Sequence, residues 1–296
     1  MICCVWDEIL PQTQNPDVVV NIVRKSYSPI RKQCMIRGIS RVGCCGMGSY
    51  EHRSKTSKSF IYFFPLLKTS DKGARERARY VLKPVSEYFK DAKKILEIGC
   101  GPGEVLANLP KKYAIYGLDI ECDYIEFCRK RIPHGTFFVS SMHNFEIDER
   151  FDVIFSADDA VNFLKDFAQW KSTFKAVAEH LNSHGLFIFD VSTPKMLRDT
   201  LRVLKYHFFL GQPFSVREYP VGCYFDRAII KGNTLTWDCR IFGKLPNGLY
   251  QLNEYKFKER IYPVAKMKSA LSERFDILET NLREEGRKIL FVCRKK

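Results

Sequence analysis

The sequence predicts an α/β protein: a mostly parallel sheet flanked by helices, with an antiparallel β-meander inserted late in the chain. Three observations predict it. Short apolar strands alternate with helices from Asp71 to Asp190, a glycine-rich turn follows the first strand, and three long alternating strands then succeed one another with no helix between them.

The elements follow in order. Ala74 to Phe89 has the apolar spacing of an amphipathic helix, with Pro84 marking a kink or a break. Lys94 to Ile98 is a short apolar strand, followed by glycines and a helix from about Glu104. Tyr113 to Leu118 forms a second strand ending at Asp119, and a helix covers Tyr124 to Arg131. Strands at Thr136 to Val139 and Phe151 to Phe155, a helix over Trp170 to Leu181 and a strand over Gly185 to Asp190 continue the alternation, as expected of βαβ units on a buried parallel sheet. Cys223 to Ile230, Thr234 to Phe242 and Leu249 to Ile261 are then joined by Lys231-Gly232-Asn233 and Pro246-Asn247-Gly248 turns. On the middle strand Leu235, Trp237, Cys239 and Ile241 share one face, and Thr236, Asp238 and Arg240 the other. A helix from Pro263 to Arg274 and strands at Phe275 to Leu278 and Ile289 to Val292 complete the pattern. The expected organisation is an extension over residues 1–70 and one domain over 71–296, with the meander inserted at about 204–261.

Residues 1–70 lack a sustained period apart from Val18 to Val23, and two readings stay open: a poorly ordered extension, or upstream sequence absent from the mature protein. The longest apolar run, Phe60 to Leu67, is broken by Pro65 and is far short of the roughly 20 residues a membrane helix needs. Asp7 and Glu8 argue against a secretory signal, so a cytoplasmic location is the default expectation. The eleven cysteines include the adjacent pairs Cys3-Cys4 and Cys44-Cys45 but no C-x-x-C, and no metal site is expected. The net charge of +14 keeps nucleic acid open as a partner. The excess is spread, with ten Lys/Arg against four Asp/Glu in residues 1–70 and 38 against 30 in the rest, so no dense basic arm exists.

The first strand runs into Glu97-Ile98-Gly99-Cys100-Gly101-Pro102-Gly103. Glycines at a strand-to-helix turn let the backbone approach a ligand closely. A dinucleotide fingerprint reads G-x-G-x-x-G, but here the pattern is G-x-G-x-G and Glu104 stands where the third glycine would be. A carboxylate at that helix start would repel a pyrophosphate, which favours a sulfonium cofactor without phosphate. Asp119 lies 20 residues beyond Gly99, and its acceptor-only carboxylate suits two ribose hydroxyls.

Ile95 to Gly103 resembles motif I of the class I S-adenosyl-L-methionine-dependent methyltransferases, and Asp119-Ile120 resembles their second motif. The resemblance implies a Rossmann-like seven-stranded sheet, mostly parallel with an antiparallel last strand. It implies that Glu97, Gly99, Cys100, Gly101 and Gly103 wrap the methionine portion, that Asp119 and Ile120 take the nucleoside, and that Ser141 and Met142 stand beside adenine. Ser141 departs from the acidic residue usual there. Ser156, at the end of the fourth strand, completes the expected cofactor set.

The methyl acceptor is expected at the crevice after the fourth strand. There Ser156-Ala157-Asp158-Asp159-Ala160-Val161-Asn162-Phe163-Leu164 lacks the Asn/Asp-Pro-Pro-aromatic element of base-amine methylation and the Pro-Cys of pyrimidine carbon methylation. It is similar to the D-S-x-N-Y-L stretch of small-molecule methyltransferases, including sugar-amine and glycine-type N-methyltransferases, and Phe187 to Pro194 and the inserted meander share in the likeness. That implies transfer to a small-molecule amine or hydroxyl, with Asp158 and Asp159 as candidate bases or amine anchors. An RNA methyltransferase and a catalytically silent cofactor-binding subunit are the alternatives.

Overall fold

In the computed structural model, residues 71–209, 215–219, 222–245 and 247–296 are described. The N-terminal extension expected over residues 1–70 lies outside them.

The first helix, α1 (Asp71–Tyr88), runs through Pro84 as one element. Of the kink or break expected at Pro84, the break is absent: Ala74, Ala78, Val81 and Val85 recur at helical spacing and all are buried, so packing holds both halves in one helix. Then come β1 (Lys94–Ile98), β2 (Ala114–Asp119), α2 (Cys122–Arg131), β3 (Thr136–Val139) and β4 (Phe151–Ser156). They are followed by α3 (Phe167–His180) and β5 (Leu181–Ser192). The helix expected from Glu104 shrinks to a single 3₁₀ turn at Leu106–Asn108. The Asn108 amide bonds to Val105 O, its side chain takes Glu104 O at 2.9 Å, and Pro110 brings no N–H to continue the ladder.

The main sheet has seven strands in the order β10-β11-β5-β4-β1-β2-β3, closed by β10 (Phe275–Arg283) and β11 (Lys288–Lys295). Neighbours from β3 to β5 pair in parallel, and β11 runs antiparallel to both β5 and β10. β1, β4 and β5 lie inside the sheet with both faces covered, which explains their unbroken apolar runs. On one face Leu96, Ile154, Phe187, Phe189 and Phe291 pack under Trp170 and Phe174 of α3; on the other Ile95, Val153, Phe155 and Ile188 pack under Val81 and Val85 of α1. The strand order reverses direction at β1, so the crevice beyond the ends of β1 and β4 is where a ligand is received.

Between β5 and β10 stand α4 (Pro194–Phe209), a second sheet of β6 (Ser215–Tyr219), β7 (Gly222–Lys231), β8 (Thr234–Lys244) and β9 (Tyr250–Arg260), and then α5 (Val264–Leu271). All pairings in this second sheet are antiparallel. Neither α4 nor β6 was expected, and the anticipated start of the meander near residue 204 falls inside α4. Thr193-Pro194 was a legible start signal, since the Thr193 hydroxyl accepts from the Lys195 amide and proline suits the first helical position.

Candidate active site

The loop after β1 is held by backbone. Gly99 and Cys100 amides donate to Leu118 O on β2 at 2.8 and 2.9 Å, and the Gly101 amide donates to Asp119 Oδ2 at 2.8 Å. Gly99, Gly101 and Gly103 all have positive φ, at 71°, 50° and 73°. At Gly103 a Cβ would meet Cys128 Sγ of α2 at 2.9 Å, whereas at Gly101 it would meet nothing within 4 Å, which leaves that peptide open to a ligand. Gly103→Ala is therefore expected to lose about 2–4 kcal/mol, from left-handed strain plus overpacking. The urea midpoint checks it; an unchanged midpoint would show that α2 yields without cost.

Two buried polar atoms stand without partners beside this loop. Glu97, at the end of β1, is 3% exposed and its Oε2 has no hydrogen bond; Ser156, at the end of adjacent β4, has an unpartnered buried Oγ. Burial, then the Cys128 thiol and the Asp158 carboxylate, push the Glu97 carboxyl well above the usual range. A cationic amine donating here would satisfy the orphaned acceptors and restore the carboxylate. At the nucleoside end, Asp119 accepts from the amides of Gly101 and Glu121, leaving lone pairs on both oxygens for further donors. Ile120 beside it is 63% exposed, an uncovered apolar surface, while Met142 packs its Cε toward Gly99. Ser141 Oγ is paired with His143 Nδ1, so its hydroxyl is oriented by the ring. An ammonium-bearing nucleoside without phosphates, the chemistry of S-adenosylmethionine, fits this set of groups.

Beyond Ser156 the backbone is strained. Asp158 and Asp159 have φ of 56° and 49°, two successive left-handed residues without glycine, a conformation that persists only where surroundings enforce it. Arg77 of α1 enforces one, joining Asp158 Oδ2 at 2.9 Å and Glu104 Oε2 at 3.2 Å. Lys288 of β11 enforces the other, with its Nζ 3.3 Å from Asp159 Oδ1, while Ser192 Oγ donates to Asp159 Oδ2 at 2.7 Å. Burial works against the Asp159 anion, but the Lys288 charge and the hydrogen bonds from Ser192 and Lys288 oppose it, and the carboxyl is held below the usual range. Lys288 also lies 3.9 Å from Asp190 and 3.8 Å from Glu284. Burial pushes Asp190 up to about 6, despite Lys288, because Asp159 and Asp158 crowd it with like charge.

The second sheet docks on this edge. Asn162, in the turn Ala160–Phe163, donates to Arg260 O of β9 at 2.8 Å and accepts from the Ser192 amide at 3.0 Å. Phe163 meets Phe257 edge-on at 6.5 Å between centroids. The predicted inner face of β8, Leu235, Trp237, Cys239 and Ile241, is buried. The predicted outer face is not uniformly solvated, since Asp238 is buried in an ion pair with Arg227 at 2.8 Å. Tyr224 is buried, with its hydroxyl on Cys239 Sγ at 3.1 Å, and Tyr250 is exposed; the Tyr219 side chain lies outside the described residues.

Asp158 and Asp159 thus meet at the strand edge with four residues that sequence reasoning did not select: Arg77, Asp190, Glu259 and Lys288. Asp190 and Glu259 were legible, the first as an acid ending an apolar strand and the second as an acid sharing the buried alternation of Tyr255 and Ile261. Arg77 was legible only as a cation on the buried stripe of Ala74, Ala78 and Val81, and Lys288, beside Arg287 at the start of a strand, carries no mark in the sequence.

A seven-stranded sheet of this order with one reversed strand, a glycine loop after β1 and a carboxylate ending β2 define a class I methyltransferase fold. Residues 95–185 match the family model of a methyltransferase domain. Over 259 residues the chain is 24% identical to a protein of Geobacillus sp. (strain WCH70) that carries only the general name of methyltransferase, covering 81% of this chain and all of that one. It is 27% identical over 101 residues to the dTDP-3-amino-3,4,6-trideoxy-alpha-D-glucopyranose N,N-dimethyltransferase of Streptomyces venezuelae, covering 34% of this chain and 43% of the relative. The structure of S-adenosylmethionine-bound CalS10, an amino pentose methyltransferase from Micromonospora echinaspora, superposes with a TM-score of 0.62 at 17% identity, over 83% of this chain and 100% of that one. The chain is an S-adenosylmethionine-dependent methyltransferase. None of its described helices is long and apolar enough to cross a membrane.

Proposed function

We propose that the chain transfers the methyl group to the nitrogen of a small-molecule amine. One observation carries this reading: among the described residues, Asp158, Asp159, Asp190, Glu259 and Glu284 gather at the acceptor edge around Arg77 and Lys288. A half-buried cluster with that excess of carboxylates attracts an ammonium and repels phosphate, since opposite and like charges a few ångströms apart are strongly coupled at low dielectric. This weighs against an RNA backbone in spite of the net charge of +14. The likeness to sugar N,N-dimethyltransferases supports the same acceptor class.

In this reading Glu97, Gly99, Cys100, Gly101, Gly103 and Ser156 hold the methionine end of the cofactor, and Asp119, Ile120, Ser141 and Met142 hold the nucleoside. The cofactor supplies an activated methyl, and the protein orients the acceptor and excludes water. Of the two roles expected for Asp158 and Asp159, base or amine anchor, this reading takes the second, since Arg77 and Lys288 hold both carboxylates in place. Tritium from labelled S-adenosylmethionine is expected in a small-metabolite extract, on nitrogen by mass spectrometry, and absent from total RNA. Label in RNA alone would overturn the reading, as would cofactor binding by calorimetry with no extract ever labelled.

A further inference from the structure

We propose that Glu259, carried by the second sheet, takes the proton that an acceptor ammonium must lose before it can be methylated. The inference rests on the amine reading above and adds to it a catalytic role for the inserted sheet.

Glu259 lies on β9 and is 5% exposed. Its Oε1 accepts from Trp237 Nε1 of β8 at 2.7 Å, and its Oε2, although buried, has no hydrogen-bond partner. The next residue, Arg260, is tied through its carbonyl to Asn162, and Asn162 to the Ser192 amide, so this end of β9 sits over the ends of β4 and β5. Among the described residues, the charged groups that face Glu259 are Asp159 from the turn after β4 and Lys288 from β11, with the Trp237 N–H donating from β8. Among the described residues the cation facing Glu259 is Lys288, which is shared with Asp159, Asp190 and Glu284. An unsatisfied, buried carboxylate oxygen beside the acceptor edge is placed to receive an N–H.

Burial pushes the Glu259 carboxyl up to about 7, with the Asp159 charge adding to it and the Trp237 donor and Lys288 opposing it. A base poised there is half deprotonated at neutral pH, where it accepts a proton and releases it readily. Asp190 is less suited, because Lys288 and the Asp159 amide already occupy its two oxygens. The step balances as follows. One N–H proton of the ammonium moves to Glu259 Oε2, and the freed lone pair forms the N–C bond. The methyl–sulfur bond breaks with its electrons kept on sulfur, and the proton on Glu259 passes to solvent as product leaves.

The test uses the full chain and begins with the wild-type product. Methyl found on oxygen, or in RNA, defeats the amine reading itself before any variant is made. With an amine product, E259Q is expected to lower kcat/KM ~100-fold at pH 7 and to recover about tenfold by about pH 9.5, where the acceptor is deprotonated in solution. W237F, which removes the donor that favours the anion, is expected to move the acid limb of the profile upward. A loss in E259Q that is equal at every pH, or smaller than about threefold, overturns the proposal. A readout free of the acceptor accompanies it: in ¹³C-carboxyl glutamate spectra with S-adenosylhomocysteine present, E259Q must delete one resonance titrating near neutrality. If wild type has no such resonance, the proposal fails.

Discussion

Lys288→Met is expected to destabilise the fold by about 3–5 kcal/mol, because removing one partner of a buried ion pair strands the other. The loss is a large share of the 5–15 kcal/mol typical of a domain. Lys288 is 3% exposed at its side chain and faces Asp159, Asp190 and Glu284, and Asp159, at 5%, is itself too buried for water to replace the lost cation fully. The pH dependence follows from the directions of the shifts. Asp159 is held below its ordinary value, so its contribution is full above that value and fades as pH falls through the lower, folded one. Lys288 is held above its ordinary value, so its contribution is full below it and fades as pH rises through the higher, folded one. Between these limits the wild-type pair is intact. In the methionine variant burial of Asp159 loses its main opposition, with the Ser192 hydrogen bond remaining, and its carboxyl rises, so protonation at low pH relieves the stranded charge. The deficit in urea midpoint is therefore expected to narrow from pH 8 to pH 5. A second change, Asp159→Asn, is expected to recover much of the loss, since asparagine tolerates the φ of 49°. A deficit independent of pH and untouched by the second change would show that Asp159 is not the stranded group.

Asp119→Ala is expected to weaken S-adenosylhomocysteine binding about a thousandfold, the loss of two charge-assisted hydrogen bonds of roughly 2 kcal/mol each. The fold should survive. The Gly101 and Glu121 amides that now reach the carboxylate stand where Asp119 is only partly buried, and water can replace it. Asp119→Asn keeps the shape but offers one acceptor and a donor, and an intermediate loss is expected. Calorimetry reads the affinity and circular dichroism the fold. Unchanged affinity in the alanine variant refutes the ribose assignment.

The cofactor half of the protein was legible because its chemistry is local. Glu97, the three glycines and Asp119 stand at strand ends, and strand ends are what apolar runs mark best. The alternation on β8 disclosed a buried face for the same reason. What escaped depends on partners remote in sequence. Asp158 and Asp159 look like free acids until Arg77 and Lys288 arrive from α1 and β11. The helix expected after Glu104 depends on whether Asn108 spends its side chain on a carbonyl, which propensity does not decide. Helix α4, by contrast, was legible and was passed over: it starts at Thr193-Pro194, and Leu197, Leu201, Leu204 and Phe208 recur at helical spacing.

The reversal of β11 has a consequence for how the protein is made. Because this strand runs against its neighbours, its first residue, Lys288, is set opposite Ser192 at the receiving edge of the sheet. A strand running with the others would have brought its far end there. The cation that neutralises Asp159 is thus supplied 129 residues later, by the seventh strand of the sheet. On a ribosome, β1 to β5 emerge with Arg77 available to pair Asp158, but with Asp159 and Asp190 in place before Lys288 exists to neutralise them. Closing that long loop is entropically slow. The nascent sheet therefore carries an electrostatic penalty that favours late completion, and the site becomes competent only when the sheet is whole.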